Sequence, residues 1–407
     1  MSVAKNALNL YAIQGANILI PLLSLPYLGR ALGTTGFGTL ALSQLILQYI
    51  ILMTDFGFNL TATRRISNTK DDPKAVSKIL YETTVVRLFL AIFGIALALL
   101  TSYAIPSFGD ARLVIEISFL AVIGSLLTPA WLFHGIEKNS TLAAITIAPR
   151  LAFLIPTALY ISSPDDLILA AFFQFLPQLT TGLLSVIWIL ALSPYRFSRP
   201  TISGILLSAK DGYHIFASSI LTSIYVYANG IILQLTAGSA ALGVYAAAEK
   251  LIKAVNSMIN PAIQAIYPRV CRGEGADLKK LQAAIICITA SCWGGALLFG
   301  PTLTSLIFGD GFREAGEILK ILAIAPIFSG LAAISVQLKI IAWGEHPRLK
   351  YIYATSVITH AIQAPLIISF FGAKGAAYSI VLTEIITFSA VAWVTRRIEK
   401  GRTGLTT

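Results

Sequence analysis

Residues 88–105 read LFLAIFGIALALLTSYAI, a stretch without a single charge. A helix crossing the hydrocarbon core of a bilayer needs about 20 mostly apolar residues. Leu, Ile, Ala and Phe follow one another here with no polar–apolar alternation, which argues for a helix and against a barrel strand. Runs of the same character recur on both sides. In the first half they occupy residues 7–31, 37–60, 79–105, 112–134, 142–161 and 167–192. In the second half they occupy 214–236, 241–266, 282–307, 314–340, 351–371 and 375–395. The expected fold is therefore an all-α integral membrane protein with about 12 transmembrane helices.

Composition leads to the same class. Only 12% of the 407 residues are charged and 56% are hydrophobic. Soluble domains carry near a quarter charged residues, so a globule of this size could not cover its surface with so few. A cytosolic enzyme, a nucleic-acid-binding domain and a disordered chain are all excluded. Cys271, Cys287 and Cys292 have no ligand spacing, and the histidines at 134, 214, 346 and 360 are scattered, so neither a metal site nor a catalytic set is expected. The first run follows Lys5 without a small-residue cleavage signal and is expected to remain as the first span. No G-x-x-x-x-G-K-[ST] nucleotide loop occurs.

The charges sort by position. Of the 30 basic residues, 21 fall at Lys5, Lys138 and Lys339, in the loops 61–78, 193–213, 267–280 and 342–350, or in the tail from 395. The alternate loops hold Arg30, Arg112, Arg313 and Lys374. The positive-inside rule puts the basic side, with both termini, in the cytoplasm. Most of the net charge of +11 is thereby a topology signal that also meets anionic lipid headgroups.

Five bases remain inside the expected spans: Arg87, Arg150, Lys250, Lys253 and Lys320. Each would cost about 2.5–3.5 kcal/mol at the bilayer centre if it faced lipid. Such residues face a wet cavity or a partner charge, which makes these five the candidate binding groups of a cationic cavity. Asp55, Glu249 and Glu384 are candidates for carrying a coupling ion. Their alternative role is pairing with neighbouring cations, Asp55 with Arg64 and Glu249 with Lys250.

Shifting the sequence by 205 residues places Gly33 on Gly238, Gly38 on Gly243, Ala41 on Ala246 and Arg64 on Arg269. A repeat in this orientation predicts two six-helix lobes, residues 1–205 and 206–407, of the kind used by carriers that rock around a central site. Prolines interrupt several spans, and Pro21 with Pro26 on the first is the expected hinge.

Local motifs complete the reading. NILIPLLSLPYLGRALGTTGFG (17–38), DFGFNLTATRRIS (55–67), PAWLFHGIEK (129–138), GVYAAAEKL (243–251), PAIQAIYPR (261–269) and FGDGFREAGEILK (308–320) run in order through most of the chain. Together they resemble the Wzx-type flippases of the multidrug/oligosaccharidyl-lipid/polysaccharide (MOP) exporter superfamily. His134 departs from that pattern, where the resemblance leads us to expect Gln. The resemblance implies a MATE-like fold and a location in the bacterial inner membrane. It also implies movement of undecaprenyl-diphosphate-linked oligosaccharide units to the periplasmic leaflet for O-antigen or related polysaccharide. A polymerase and a chain-length regulator are the implied protein partners, with no nucleic acid, no cofactor, and H⁺ or Na⁺ as the coupling ion. Alternating access is the expected mechanism, with Trp131, Tyr225, Tyr227 and Tyr245 as groups that could stack on sugars. The alternatives are a cation-coupled multidrug or metabolite antiporter of the same superfamily and a membrane polysaccharide polymerase or ligase. The short outer loops speak against the enzyme.

Overall fold

The computed structural model describes residues 3–272 and 278–403; the side chains of Pro21, Tyr225, Pro261, Arg269 and Cys271 lie outside the described set. Helices account for nearly all of it, and no strand occurs among the described residues. In chain order they are α1 (Val3–Asp55), α2 (Phe58–Ser67), α3 (Pro73–Ala104), α4 (Arg112–Leu127), α5 (Ala130–Gly135) and α6 (Asn139–Tyr160). There follow α7 (Leu167–Ile187), α8 (Ile202–Cys271), α9 (Leu278–Phe308), α10 (Arg313–Leu322), α11 (Ala325–Ser335) and α12 (Leu349–Thr403).

Among the described residues, eight helical segments are long and apolar enough to cross a membrane. A ninth forms if Asp310–Leu322 and Ala325–Ile341, bent by 41°, are counted as one span. Three segments are far longer than a bilayer requires. At 1.5 Å per residue, the 70 residues of α8 would reach ~105 Å if straight. Each of the three is interrupted by one glycine with non-helical torsions: Gly33 in α1, Gly238 in α8 and Gly372 in α12.

The first two are the residues matched by the 205-residue shift, and their backbones agree closely. Gly33 has φ 65° and ψ −175°, and Gly238 has φ 80° and ψ −177°. An L side chain is strained at such a φ, so glycine is required for the chain to turn within the helix. The paired segments also touch reciprocally. A Cβ on Gly38 would strike the backbone of Ser239 and Gly243, and a Cβ on Gly243 would strike that of Thr34 and Gly38. Thr34 and Ser239 are themselves related by the same shift, so this contact is self-complementary, as a local two-fold relation requires.

Cα packing divides the chain into two compact units. One comprises Met1–Leu32 and Thr39–Ser223, the other Gly33–Gly38 and Ile224–Thr407. The division falls inside α8 rather than at 205/206, because the first turns of α8 are fastened to the first unit. Arg65 Nη1 donates to Ser208 Oγ (2.8 Å), and the Phe56 and Phe216 rings stack at 4.6 Å. Thr201 Oγ1, just ahead of Ile202, donates to the buried Glu82 carboxylate at 2.6 Å. The segment leading to α8 follows the same surface. Arg196 N donates to Ser77 Oγ (3.2 Å), Phe197 packs edge-on to Tyr81, and Tyr195 is buried, which pushes its phenol up from the ordinary value.

The expected loop 193–213 is thus corrected: its second half is helix from Ile202 onward. Lys210 and Asp211 end an apolar run in the sequence, but nothing in a charged residue ends a helix's backbone hydrogen bonds. Elsewhere, outward-facing side chains such as Phe89, Leu100, Leu298 and Phe370 are exposed along mid-helix, where lipid rather than water is the natural solvent.

Candidate functional site

In the first unit the intramembrane charges converge on Arg87. α1 ends at Asp55, where Phe56 and Gly57 turn the chain with φ of 42° and 82°. α4 ends at Leu127 beside Thr128 and Pro129. The last four carbonyls of any helix lack intrahelical donors, and Arg87 supplies them at both ends. Its Nε donates to Thr54 O (3.3 Å), Nη1 to Leu126 O (3.3 Å) and Nη2 to Ser125 O (2.9 Å). The Asp55 carboxylate lies 3.6 Å from Nη2. With 2% exposure, Arg87 is a junction of three helices, cationic where two helix dipoles end negative. Asp55 therefore pairs with Arg87 and not with Arg64, as its sequence neighbourhood had led us to expect. Arg150, half-buried on α6, reaches Gln178 Oε1 on α7 at 3.4 Å.

The second unit handles its cations differently. Lys250 Nζ lies 5.0 Å from the centroid of the Phe37 ring, and Lys253 Nζ lies 5.8 Å from that of Tyr227. Lys253 also pairs with Glu249 at 3.0 Å, while its own side chain stays 49% exposed. The expected Glu249–Lys250 interaction is present electrostatically, while the i,i+4 geometry of the helix also gives Glu249 a short ion pair with Lys253. Residues one apart diverge by about 100° around the axis, whereas i and i+4 share a face. Lys320 bonds Glu317 at 2.7 Å, and its carbonyl accepts from Trp293 Nε1. Glu384 is half-buried on α12, within electrostatic range of Tyr353.

The remaining candidates separate as follows. Pro21 and Pro26 both lie in the first half of α1, whose helix runs on through them to the break at Gly33. Trp131 and Tyr245 are buried, and Tyr227 alone of the four aromatic residues is described beside a membrane cation. His134 Nδ1 lies 2.7 Å from Asn139 Oδ1, within the turn between α5 and α6. Among the described residues no cluster of three or more His, Cys, Asp and Glu could hold a metal ion.

Sequence reasoning passed over one polar constellation in the second unit. Ser356, His360 and Gln363 in the first half of α12 face Ser379, Thr383 and Thr387 in its second half. Ser356 Oγ and Thr387 Oγ1 are 2.7 Å apart, as are His360 Nδ1 and Thr383 Oγ1. The signal was legible: two sets of polar residues spaced by three or four positions within otherwise apolar spans.

Residues 3–274 match the family model described as polysaccharide biosynthesis protein. The chain belongs to this family. A family relative from Shigella dysenteriae, named for O-antigen transport, is 30% identical over 94% of this chain and 97% of its own length. Another, from Escherichia coli K12 and named likewise, is 28% identical over 97% of each chain. Among solved structures, an inward-facing multidrug-resistance MATE transporter of the MOP superfamily superposes with a TM-score of 0.70 at 13% identity. It covers 98% of this chain and 99% of that one. The lipid II flippase MurJ gives 0.66 at 11% identity over 97% and 87%. At such identities the likeness is one of fold. The resemblance that the motifs carried, to Wzx-type flippases, is borne out by the family model and these relatives, and the expected MATE-like fold by the solved structures. The family member described here is a multi-pass membrane transporter rather than an enzyme.

Proposed function

We propose that this transporter flips undecaprenyl-diphosphate-linked oligosaccharide units from the cytoplasmic to the periplasmic leaflet of the inner membrane, for assembly of O-antigen or a related surface polysaccharide. The observation that carries the reading is the placement of Lys250 and Lys253, on a membrane helix, over the rings of Phe37 and Tyr227. A sugar diphosphate cannot enter hydrocarbon without losing its hydration. Ammonium groups replace that hydration at the phosphates, and aromatic faces suit the apolar faces of sugars. The relatives named for O-antigen transport, matched over nearly their whole length, point to the same cargo.

Divided at Gly33, Gly238 and Gly372, and with the bent pair taken as one span, the helices read as twelve crossings. An even number leaves both termini on the basic, cytoplasmic side. Alternating access, with the headgroup in protein and the prenyl tail in lipid, is the mechanism we assign. Arg150, Lys250, Lys253 and Lys320 attract the diphosphate, while Arg87 holds helices together. Of the three acids, Asp55 and Glu249 are engaged by Arg87 and Lys253, so Glu384 is the carboxylate we retain for H⁺ or Na⁺ coupling. The polymerase and chain-length regulator act on the delivered product.

The test is genetic and quantitative. Lys250→Gln with Lys253→Gln, expressed in a flippase-deletion strain, should abolish surface polysaccharide while membrane abundance stays near that of the unmutated protein. Arg150→Gln should weaken it. Full polysaccharide from the double variant would overturn the proposed site.

A further inference from the structure

The constellation around His360 contains more hydrogen-bonding chemistry than packing needs. His360, Thr383, Asn229 and Ser379 are all buried, with 1% or less exposed. Asn229 Nδ2 donates to Ala376 O at 3.1 Å. A backbone carbonyl only accepts, so the amide must point its nitrogen there and its oxygen toward the ring. His360 Nε2 lies 3.0 Å from that oxygen, and therefore carries a hydrogen.

The other ring nitrogen meets a group that can either give or receive. Thr383 Oγ1 is 2.7 Å from His360 Nδ1 and 2.8 Å from Ser379 O, and it accepts from Gln363 Nε2 at 2.8 Å. With the ring neutral, the Thr383 hydroxyl points its hydrogen at the Nδ1 lone pair. With a proton added to Nδ1, the hydroxyl turns to Ser379 O and accepts the new N–H. A hydroxyl has one donor hydrogen and two acceptor positions. In the protonated arrangement all three are occupied, by Ser379 O, Gln363 and His360. The ring can thus gain or lose a proton through one hydroxyl rotation, with no heavy atom displaced.

We propose that His360 is a proton-binding site of the second unit, with Thr383 as its switch and Asn229 as its fixed acceptor. Two neighbouring polar atoms, Gln363 Oε1 and Ser379 Oγ, are buried without a partner, so the ring's surroundings hold unused hydrogen-bonding capacity. Titratable and charged groups on the surrounding helices are Tyr245, Glu249, Lys250 and Lys253 on α8, with Tyr353 and Glu384 on α12. The Tyr245 hydroxyl is the one placed against Asn229. A charge appearing among neutral dipoles is better tolerated in conformations that admit water, so binding and opening are linked and each drives the other. That consequence rests on the flippase reading above; proton binding itself does not.

The experiment has two arms. Imidazole ¹⁵N spectra of the full chain in nanodiscs, with the His360 signal assigned by its loss in His360→Gln, follow the ring between about pH 3 and pH 9. The signal should pass from the neutral to the doubly protonated form. Thr383→Val, which removes the acceptor but keeps the shape, should lower proton affinity at least about tenfold. A ring that keeps one form throughout, or titrates identically in Thr383→Val, overturns the proposal. In proteoliposomes, flipping of a fluorescent prenyl-diphosphate-linked sugar should be faster under an imposed pH gradient, and the ratio of rates with and without the gradient should fall to one in His360→Gln. A gradient-insensitive unmutated protein would defeat gradient coupling while leaving the spectroscopic result to stand or fall by itself. A gradient-stimulated His360→Gln would remove His360 from the cycle.

Discussion

Arg87 and the lysine pair of α8 are all cations within membrane helices, yet their surroundings differ. Every nitrogen of the Arg87 guanidinium meets a protein oxygen, three of them carbonyls at the ends of helices. Lys250 and Lys253 lie over aromatic rings, and Lys253 keeps about half of its side chain exposed. The insertion cost of a membrane charge says that it must be compensated, and does not say by what. Compensation by helix ends makes a structural joint. Compensation by a π face and one carboxylate at Lys253, half of whose side chain is exposed, leaves that cation open to a ligand.

The largest expected effect tests the joint. Arg87→Met leaves Asp55 without its cation and strips donors from Thr54, Ser125 and Leu126. Breaking a fully buried pair costs about 3–5 kcal/mol; with Asp55 37% exposed, part of that is expected from the ion pair and the rest from the carbonyls left without a donor. Unfolding in detergent should therefore shift strongly to lower temperature, with membrane abundance falling in parallel. Arg87→Lys should recover little, since a point charge cannot reach three diverging carbonyls as a planar fork does. A well-folded, inactive Arg87→Met would break the comparison by making Arg87 a ligand group after all.

Glu82 offers a smaller version of the same contrast. Its carboxylate accepts from Thr201 and lies 3.9 Å from Arg65 and 4.0 Å from Lys78. Glu82→Gln keeps the shape but removes the charge facing both bases. A loss of about 1–3 kcal/mol is expected from this partly satisfied, buried site, together with protease sensitivity in residues 193–201. Unchanged protection there would mean that Phe197 and Tyr195 hold the segment without it.

The apolar membrane helices and the Gly33–Gly238 correspondence were legible because both are imposed by single physical demands. Apolar length is fixed by the bilayer, and Gly33 and Gly238 are fixed by a backbone conformation that only glycine adopts easily. Pairing was less legible. Asp55 sits nine positions from Arg64 but finds Arg87, because α3 crosses the end of α1. Glu249 acts on the adjacent Lys250, but its short ion pair is with Lys253, one turn on. His360 drew no attention as one of four scattered histidines, although its partner Thr383 and the neighbouring Ser379 already carried a helical spacing. Position along the chain locates a charge in depth; only helix packing tells which atoms answer it.

The smallest expected effect sharpens the comparison most. A double-mutant cycle on Glu249→Gln and Lys253→Gln should give a coupling of only about 0.2–1 kcal/mol, the range for ion pairs in contact with solvent. Stability would then be nearly unaffected in either single variant, while polysaccharide export falls in Lys253→Gln. That combination is what a ligand-facing cation predicts: little is lost from the folded chain, and the partner that matters is the cargo. A coupling comparable to the Arg87 value would show Lys253 to be a second joint, and the distinction between the two units would rest on Lys250 and Phe37 alone.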